Sequence, residues 1–340
     1  MPMIDMSVEE LFQYRGCTPC PKDFDEYWAR ALREMNDTNP QTELIPADFQ
    51  TDCADCFDLF FTGVKGARIH AKLLIPKNVS QPCPALLQFH GYTSYSGNWN
   101  DKLNYVSEGF VVAALDCRGQ AGLSEDVGGV KGNTLYGQFI RGLEDADADN
   151  MLMRYIMLDT AELAKIVMGL PQVDANRVGA MGGSQGGALT LACASLVPEI
   201  KRVAPQFPFL SDYKRVWEMD LDIGAYQELR DYFRMFDPRH EREQKIFEKL
   251  GYIDIQNMTK WIRGTVLMAT GLLDTTCPPS TQFAAYNKIT APKSVLFYPD
   301  YGHEWLRDHD DIVFQFMREL KNNTDHLYPH GQHHVIKLVA

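Results

Sequence analysis

The chain has 340 residues, 45% of them hydrophobic and 23% charged, a globular mixture that excludes a disordered protein. Acidic residues outnumber basic ones by 45 to 33, and a net charge of −12 repels phosphate backbones and anionic bilayers. No nucleic-acid or membrane partner is therefore expected. The opening residues, MPMIDMSVEE, lack a basic region followed by an apolar core, so no signal peptide is expected. No apolar run is long enough to span a bilayer, and a cytoplasmic location is the expectation.

In chain order, residues 22–35 place Phe24, Tyr27, Trp28, Leu32 and Met35 at helical spacing, which predicts an N-terminal amphipathic helix. Stretches at 59–62 and 69–75 read as two strands of a hairpin. From Pro84 onward the pattern changes to short, nearly continuous apolar runs at 85–89, 110–115, 177–181, 266–269 and 295–298. Strands buried on both faces of a parallel sheet read this way. Helical patterns at 151–170, 187–196, 279–289 and 305–320 separate most of them, which predicts a doubly wound α/β sheet. Between Phe209 and Trp261 lie polar helical stretches at 226–235 and 241–250. This insertion, residues 211–260, is either a cap over the carboxyl end of the sheet, where ligands bind in such folds, or a peripheral decoration. The expectation is one domain over 1–322 and a loosely ordered, His-rich tail over 323–340.

The eight cysteines include two CxxC pairs, Cys17/Cys20 and Cys53/Cys56, and four thiolates can hold zinc. No glycine knuckles accompany them and a chain of this size needs no metal to fold, so they read as loop cysteines in a reducing compartment. Cys83, Cys117, Cys193 and Cys277 stand in or beside apolar segments and read as small core residues.

The sharpest chemical signal is Gly182-Gly-Ser184-Gln-Gly186. A strand pattern runs into it and a small-residue helix runs out, so the motif predicts a strained turn presenting Ser184 as a nucleophile. A serine hydroxyl needs a base, and in this kind of hydrolase the acid and then the histidine follow the serine. His303, in Tyr301-Gly-His-Glu304 just past a strand, is the expected base, while His309 reads as a surface residue within a helix. Asp274, at the end of the preceding strand's loop, is the expected acid; Asp254 and Asp300 are its rivals. Donors for a tetrahedral oxyanion are expected at the backbone N–H groups of Gln185 and of Tyr92, in the loop His90-Gly-Tyr92 after an early strand. His90 itself reads as a residue that shapes that loop. Arg118-Gly-Gln120 reads as a turn whose arginine ties loops together through several hydrogen bonds.

Taken together, Arg118-Gly-Gln120, Gly182-Gly-Ser-Gln-Gly186 and His303-Glu304 resemble the signature of carbohydrate esterase family seven, which contains acetyl xylan esterases and cephalosporin C deacetylases. The resemblance extends over nearly all of positions 5–320, including His90-Gly-Tyr92, Pro205-Gln-Phe-Pro-Phe-Leu210 and Gly271-Leu-Leu-Asp-Thr-Thr-Cys-Pro-Pro279. It implies an α/β-hydrolase fold, a triad of Ser184, Asp274 and His303, and an oxyanion hole at Tyr92 and Gln185. It further implies a serine esterase without cofactor or metal that deacetylates xylo-oligosaccharides and cephalosporin C, assembled as a homohexamer. The paired CxxC motifs and the His-rich tail are not part of that pattern. A peptidase or longer-chain carboxylesterase of the same fold is the alternative, and a zinc- or thiol-binding protein the more distant one.

Overall fold

The computed structural model describes residues 4–77, 79, 82–126 and 136–322. Two helices open the chain, α1 (Val8–Gln13) and α2 (Phe24–Asp37), followed by strands β1 (Glu43–Pro46), β2 (Ala54–Thr62), β3 (Arg68–Pro76) and β4 (Cys83–Phe89). Alternation begins there: α3 (Leu103–Ser107), β5 (Val111–Leu115), α4 (Leu152–Met168), β6 (Val173–Gly183), α5 (Gln185–Leu196) and β7 (Arg202–Gln206). Three helices then intervene, α6 (Tyr213–Glu218), α7 (Gln227–Phe236) and α8 (Glu243–Leu250). The chain closes with β8 (Thr265–Gly271), α9 (Pro279–Tyr286), β9 (Lys293–Tyr298) and α10 (His309–Asn322).

The strands form one sheet in the order β1-β2-β3-β5-β4-β6-β7-β8-β9. The run from β5 to β9 is parallel, whereas β1, β2 and β3 pair antiparallel at one edge. Helices α4, α5 and α9 cover one face and α3 and α10 the other, so the middle strands are buried on both sides, as their unbroken apolar runs predict. This is the α/β-hydrolase arrangement expected from the sequence.

The hairpin pairs in full register from Ala54 opposite Pro76 to Thr62 opposite Arg68. Two strands escape the sequence reading. All four residues of β1 are exposed, so the strand carries no hydrophobic alternation to read. In β7, Pro205 and Arg202 interrupt the apolar run, although the strand lies between β6 and β8. Cys83, Cys117, Cys193 and Cys277 are buried as expected. Cys56 is a correction: it is buried within β2 rather than in a loop. The predicted tail at 323–340 lies outside the described residues.

The N-terminal helix packs where its apolar face predicts. Trp28 is almost fully buried and donates its indole N–H to the carbonyl of Tyr252, 3.0 Å away, beyond α8. Phe24 stacks on Trp261, with ring centroids 5.5 Å apart. Ahead of α6, buried Asp212 accepts hydrogen bonds from the Tyr14 hydroxyl (2.7 Å) and the Cys17 and Thr18 amides (2.9 and 2.8 Å). The insertion and the N-terminal segment are thus built together. Among the described residues no helix is long and apolar enough to cross a membrane.

Candidate active site

Strand β6 ends at Gly183 and α5 begins at Gln185, leaving Ser184 alone at the turn with φ 57° and ψ −118°. That left-handed φ is strained for a serine and projects it off the carboxyl edge of the sheet. The turn is held on both sides: the Ser184 amide donates to the Gln206 carbonyl, and the Ser184 carbonyl accepts from the Phe209 amide, both at 3.0 Å. Gly182 and Gly186 are sterically required, since a Cβ at either would lie 2.5 or 2.0 Å from the Phe89 carbonyl oxygen. Every residue of α5 is buried. Its small side chains bring the helix close to the sheet, and its positive end points at Ser184.

The loop after β8 brings Asp274 under the loop after β9. His303 Nδ1 lies 2.9 Å from Asp274 Oδ2. A carboxylate only accepts, so the hydrogen resides on Nδ1 and Nε2 is left as the basic nitrogen. Asp274 is fully buried, and its other oxygen accepts the amides of Thr276 (2.9 Å) and Cys277 (2.8 Å). The His303 side chain is 21% exposed and packs on the ring of Phe207, centroids 4.3 Å apart.

The rival acids are elsewhere. Asp300 is exposed, and Asp254 is buried within the insertion, accepting from the Asp212 amide and from Gln256. Burial and the neighbouring Asp212 push the Asp254 carboxyl up to about 7. His309 corrects the sequence reading: it begins α10 but is buried, its ring toward Tyr298.

The loop after β4 is pinned residue by residue. His90 Nδ1 pairs with the Gly91 carbonyl (2.7 Å) and Nε2 accepts the Cys117 amide (3.0 Å), so both nitrogens are engaged and burial lowers its pKa. His90 shapes the loop, as expected. Thr93, at φ 60°, donates its amide to Gln120 Oε1 at 2.8 Å. The side chains of Gln120 and Gln185 bond each other across the gap between their loops, at 2.8 and 3.1 Å. Arg118 is wholly buried; it grips both Asp159 oxygens at 2.7 and 2.5 Å and donates to the Val64 carbonyl at 3.2 Å.

Cys277 is a neighbour that the sequence does not announce. Burial and the Asp274 charge raise its thiol pKa well above the ordinary value, and the nearby Ser184 hydroxyl acts in the opposite direction. Asp274, Cys277 and His303 each place one potential ligand atom within 4.8 Å of the others, the one such group among the described residues. The two CxxC pairs do not assemble into another: Cys17 faces Glu218, Cys53 is exposed just ahead of β2, and Cys56 is buried within that strand.

The family model of acetyl xylan esterases (AXE1) matches residues 1–320. The chain belongs to this family. That membership makes it a carboxylic ester hydrolase. Acetyl xylan esterase 1 from a Thermoanaerobacterium species is 61% identical, with a TM-score of 0.90 over 93% of this chain and 99% of that one. An acetyl xylan esterase from Paenibacillus sp. R4 is 34% identical, with a TM-score of 0.86 over 92% and 99%. The acetyl esterase Axe7A of Xylanibacter ruminicola is 28% identical over 306 residues, 88% of this chain; the chain spans 66% of that curated relative's length.

Proposed function

We propose that the chain is a serine esterase that removes acetyl groups from small acetylated carbohydrates such as xylo-oligosaccharides, and from cephalosporin C, through an acetyl-enzyme. The observations that carry this reading are the strained Ser184 turn at the carboxyl edge of the sheet and a histidine whose Nδ1–H is held by a buried carboxylate. His303 Nε2 takes the Ser184 proton as Oγ attacks the acetyl carbonyl carbon. The oxyanion receives the backbone N–H groups of Tyr92 and Gln185. Collapse expels the sugar hydroxyl with the proton from His303, leaving acetyl-Ser184. Water, deprotonated by His303, then releases acetate and regenerates the serine. No cofactor or metal takes part.

The named relatives are acetyl esterases, which supports the acyl group; the pinned loop after β4 supports the oxyanion hole. Eight unpaired thiols suit a reducing compartment such as the cytoplasm, and a homohexamer is the assembly the resemblance implies.

The test is a panel of acyl esters of one alcohol, beside acetates of several alcohols, assayed with wild type, Ser184→Ala and His303→Ala. Both variants should lose roughly 10⁴–10⁶-fold in kcat, because triad members act as a unit. In wild type, kcat/KM should fall steeply from acetyl through butyryl to octanoyl and vary much less with the alcohol. A flat acyl profile, or faster cleavage of peptide amides than of acetates, would indicate a longer-chain esterase or a peptidase. Near-normal turnover in folded Ser184→Ala would remove the nucleophile assignment.

A further inference from the structure

Tyr92 differs from an ordinary loop residue in what its side chain does. Its hydroxyl donates to Glu228 Oε1 on α7 and accepts the Gln138 amide at 3.0 Å. The second oxygen of Glu228 accepts the Phe139 amide at 3.3 Å. Glu228 is 6% exposed and no cation among the described residues bonds it; burial raises its pKa, and the Tyr92 hydroxyl is the strongest influence in the opposite direction. Burying a carboxylate without a cation is expensive, so the position calls for an explanation.

The surroundings supply one. The Tyr92 ring packs on Phe209, at 5.3 Å between centroids, and the Phe209 amide is the group that holds the Ser184 carbonyl. Phe209 packs in turn on Tyr226 at 4.4 Å, just before α7. On the other flank of the loop, Gln120 fixes the Thr93 amide and the Gln185 side chain. Both proposed oxyanion donors therefore belong to residues with anchored side chains, Gln185 to the loop after β5 and Tyr92 to α7.

We propose that Glu228 is a positioning residue that, through the Tyr92 phenol, holds the Tyr92 backbone N–H at the oxyanion. The inference rests on the serine-esterase reading. It gives the insertion between β7 and β8 a part in catalysis, with α7 completing the oxyanion hole from outside the sheet. Removing the acceptor frees Tyr92 to rotate, and its N–H then meets the tetrahedral intermediate poorly while ground-state binding changes little. Loss of a whole oxyanion donor lowers kcat by about 10²–10³-fold, so a misplaced one should cost somewhat less.

The experiment compares full-length wild type, Glu228→Gln, Glu228→Ala, Tyr92→Phe and the Glu228→Ala/Tyr92→Phe double variant on p-nitrophenyl acetate, with thermal unfolding as the folding check. Glu228→Ala should lose roughly ten- to a hundredfold in kcat with KM within about threefold. Glu228→Gln keeps an acceptor for the phenol and should recover most of that loss. Tyr92→Phe should resemble Glu228→Ala, and the double variant should be no worse than about threefold below the weaker single, since both break one link. A folded Glu228→Ala with kcat within twofold of wild type overturns the proposal. So does a loss confined to KM, or losses that multiply in the double variant. Should Glu228→Ala not fold, Tyr92→Phe decides the matter by the same kcat criterion. Ser184→Ala assayed alongside separates the two readings: its inactivity upholds the esterase whatever Glu228 does, and its activity sinks both.

Discussion

Asp274→Asn tests the orientation argument most directly, because the structure dictates how the new amide must sit. Asp274 Oδ1 accepts two backbone amides, from Thr276 and Cys277, at 2.9 and 2.8 Å. An asparagine oxygen must stay there, since a flip would point an NH₂ at both amides. Each buried donor left unmade costs about 1–3 kcal/mol. The Nδ2 group therefore takes the place of Oδ2, 2.9 Å from His303 Nδ1, and can only donate to it. Nδ1 becomes an acceptor, the hydrogen moves to Nε2, and the ring can no longer accept the Ser184 proton. A wrong tautomer at such a site lowers kcat about 10⁴-fold, about 5.5 kcal/mol of barrier. Steady-state kinetics on an acetate ester should show that loss in kcat, with thermal unfolding close to wild type. A loss below tenfold, or an equal loss in Asp300→Asn or Asp254→Asn, would refute the reasoning.

Two further outcomes follow from the packing and burial described above. Gly186→Ala would set a Cβ 2.0 Å from the Phe89 carbonyl oxygen, backbone against backbone, and should lower unfolding stability by roughly 1–3 kcal/mol or more; Gly91→Ala, with open space around it, should leave the denaturation midpoint in place, and equal midpoints for the two would count against the steric account. Asp254, raised from 3.8 to about 7, binds a proton more tightly folded than unfolded, so stability from this group is lost as pH rises from about 4 to 7. Asp254→Asn lacks that slope, so its stability relative to wild type should be greater at pH 8 than at pH 5, by roughly 2.5 kcal/mol; a difference independent of pH would show that Asp254 does not titrate in this range.

The parallel strands were readable because burial on both faces leaves unbroken apolar runs, and the Ser184 turn was readable because tight backbone geometry demands Gly182 and Gly186 in fixed places. His303 and Asp274 followed from chain order and strand ends. What escaped depends on contacts between distant segments. β1 is an exposed edge strand, and Pro205 disguises β7. His309 stands beside Asp310 and Asp311 at the polar start of α10, and nothing local reveals that Tyr298 lies against its ring.

Glu228 shows why the supporting residues are harder to read than the reacting ones. On α7 the apolar stripe is Leu229, Tyr232, Phe233 and Phe236, and Glu228 stands four residues before Tyr232, on the stripe's margin. A carboxylate on that margin usually turns to solvent, as its exposed neighbour Asp231 does. Which one turns inward is decided by a phenol 136 residues away and by the Phe139 amide from a third segment. A nucleophile needs a particular backbone and therefore leaves a local trace in the sequence. A residue that steadies it needs only a polar partner at the right place in space, and any acidic residue on a helix margin has the composition to be one.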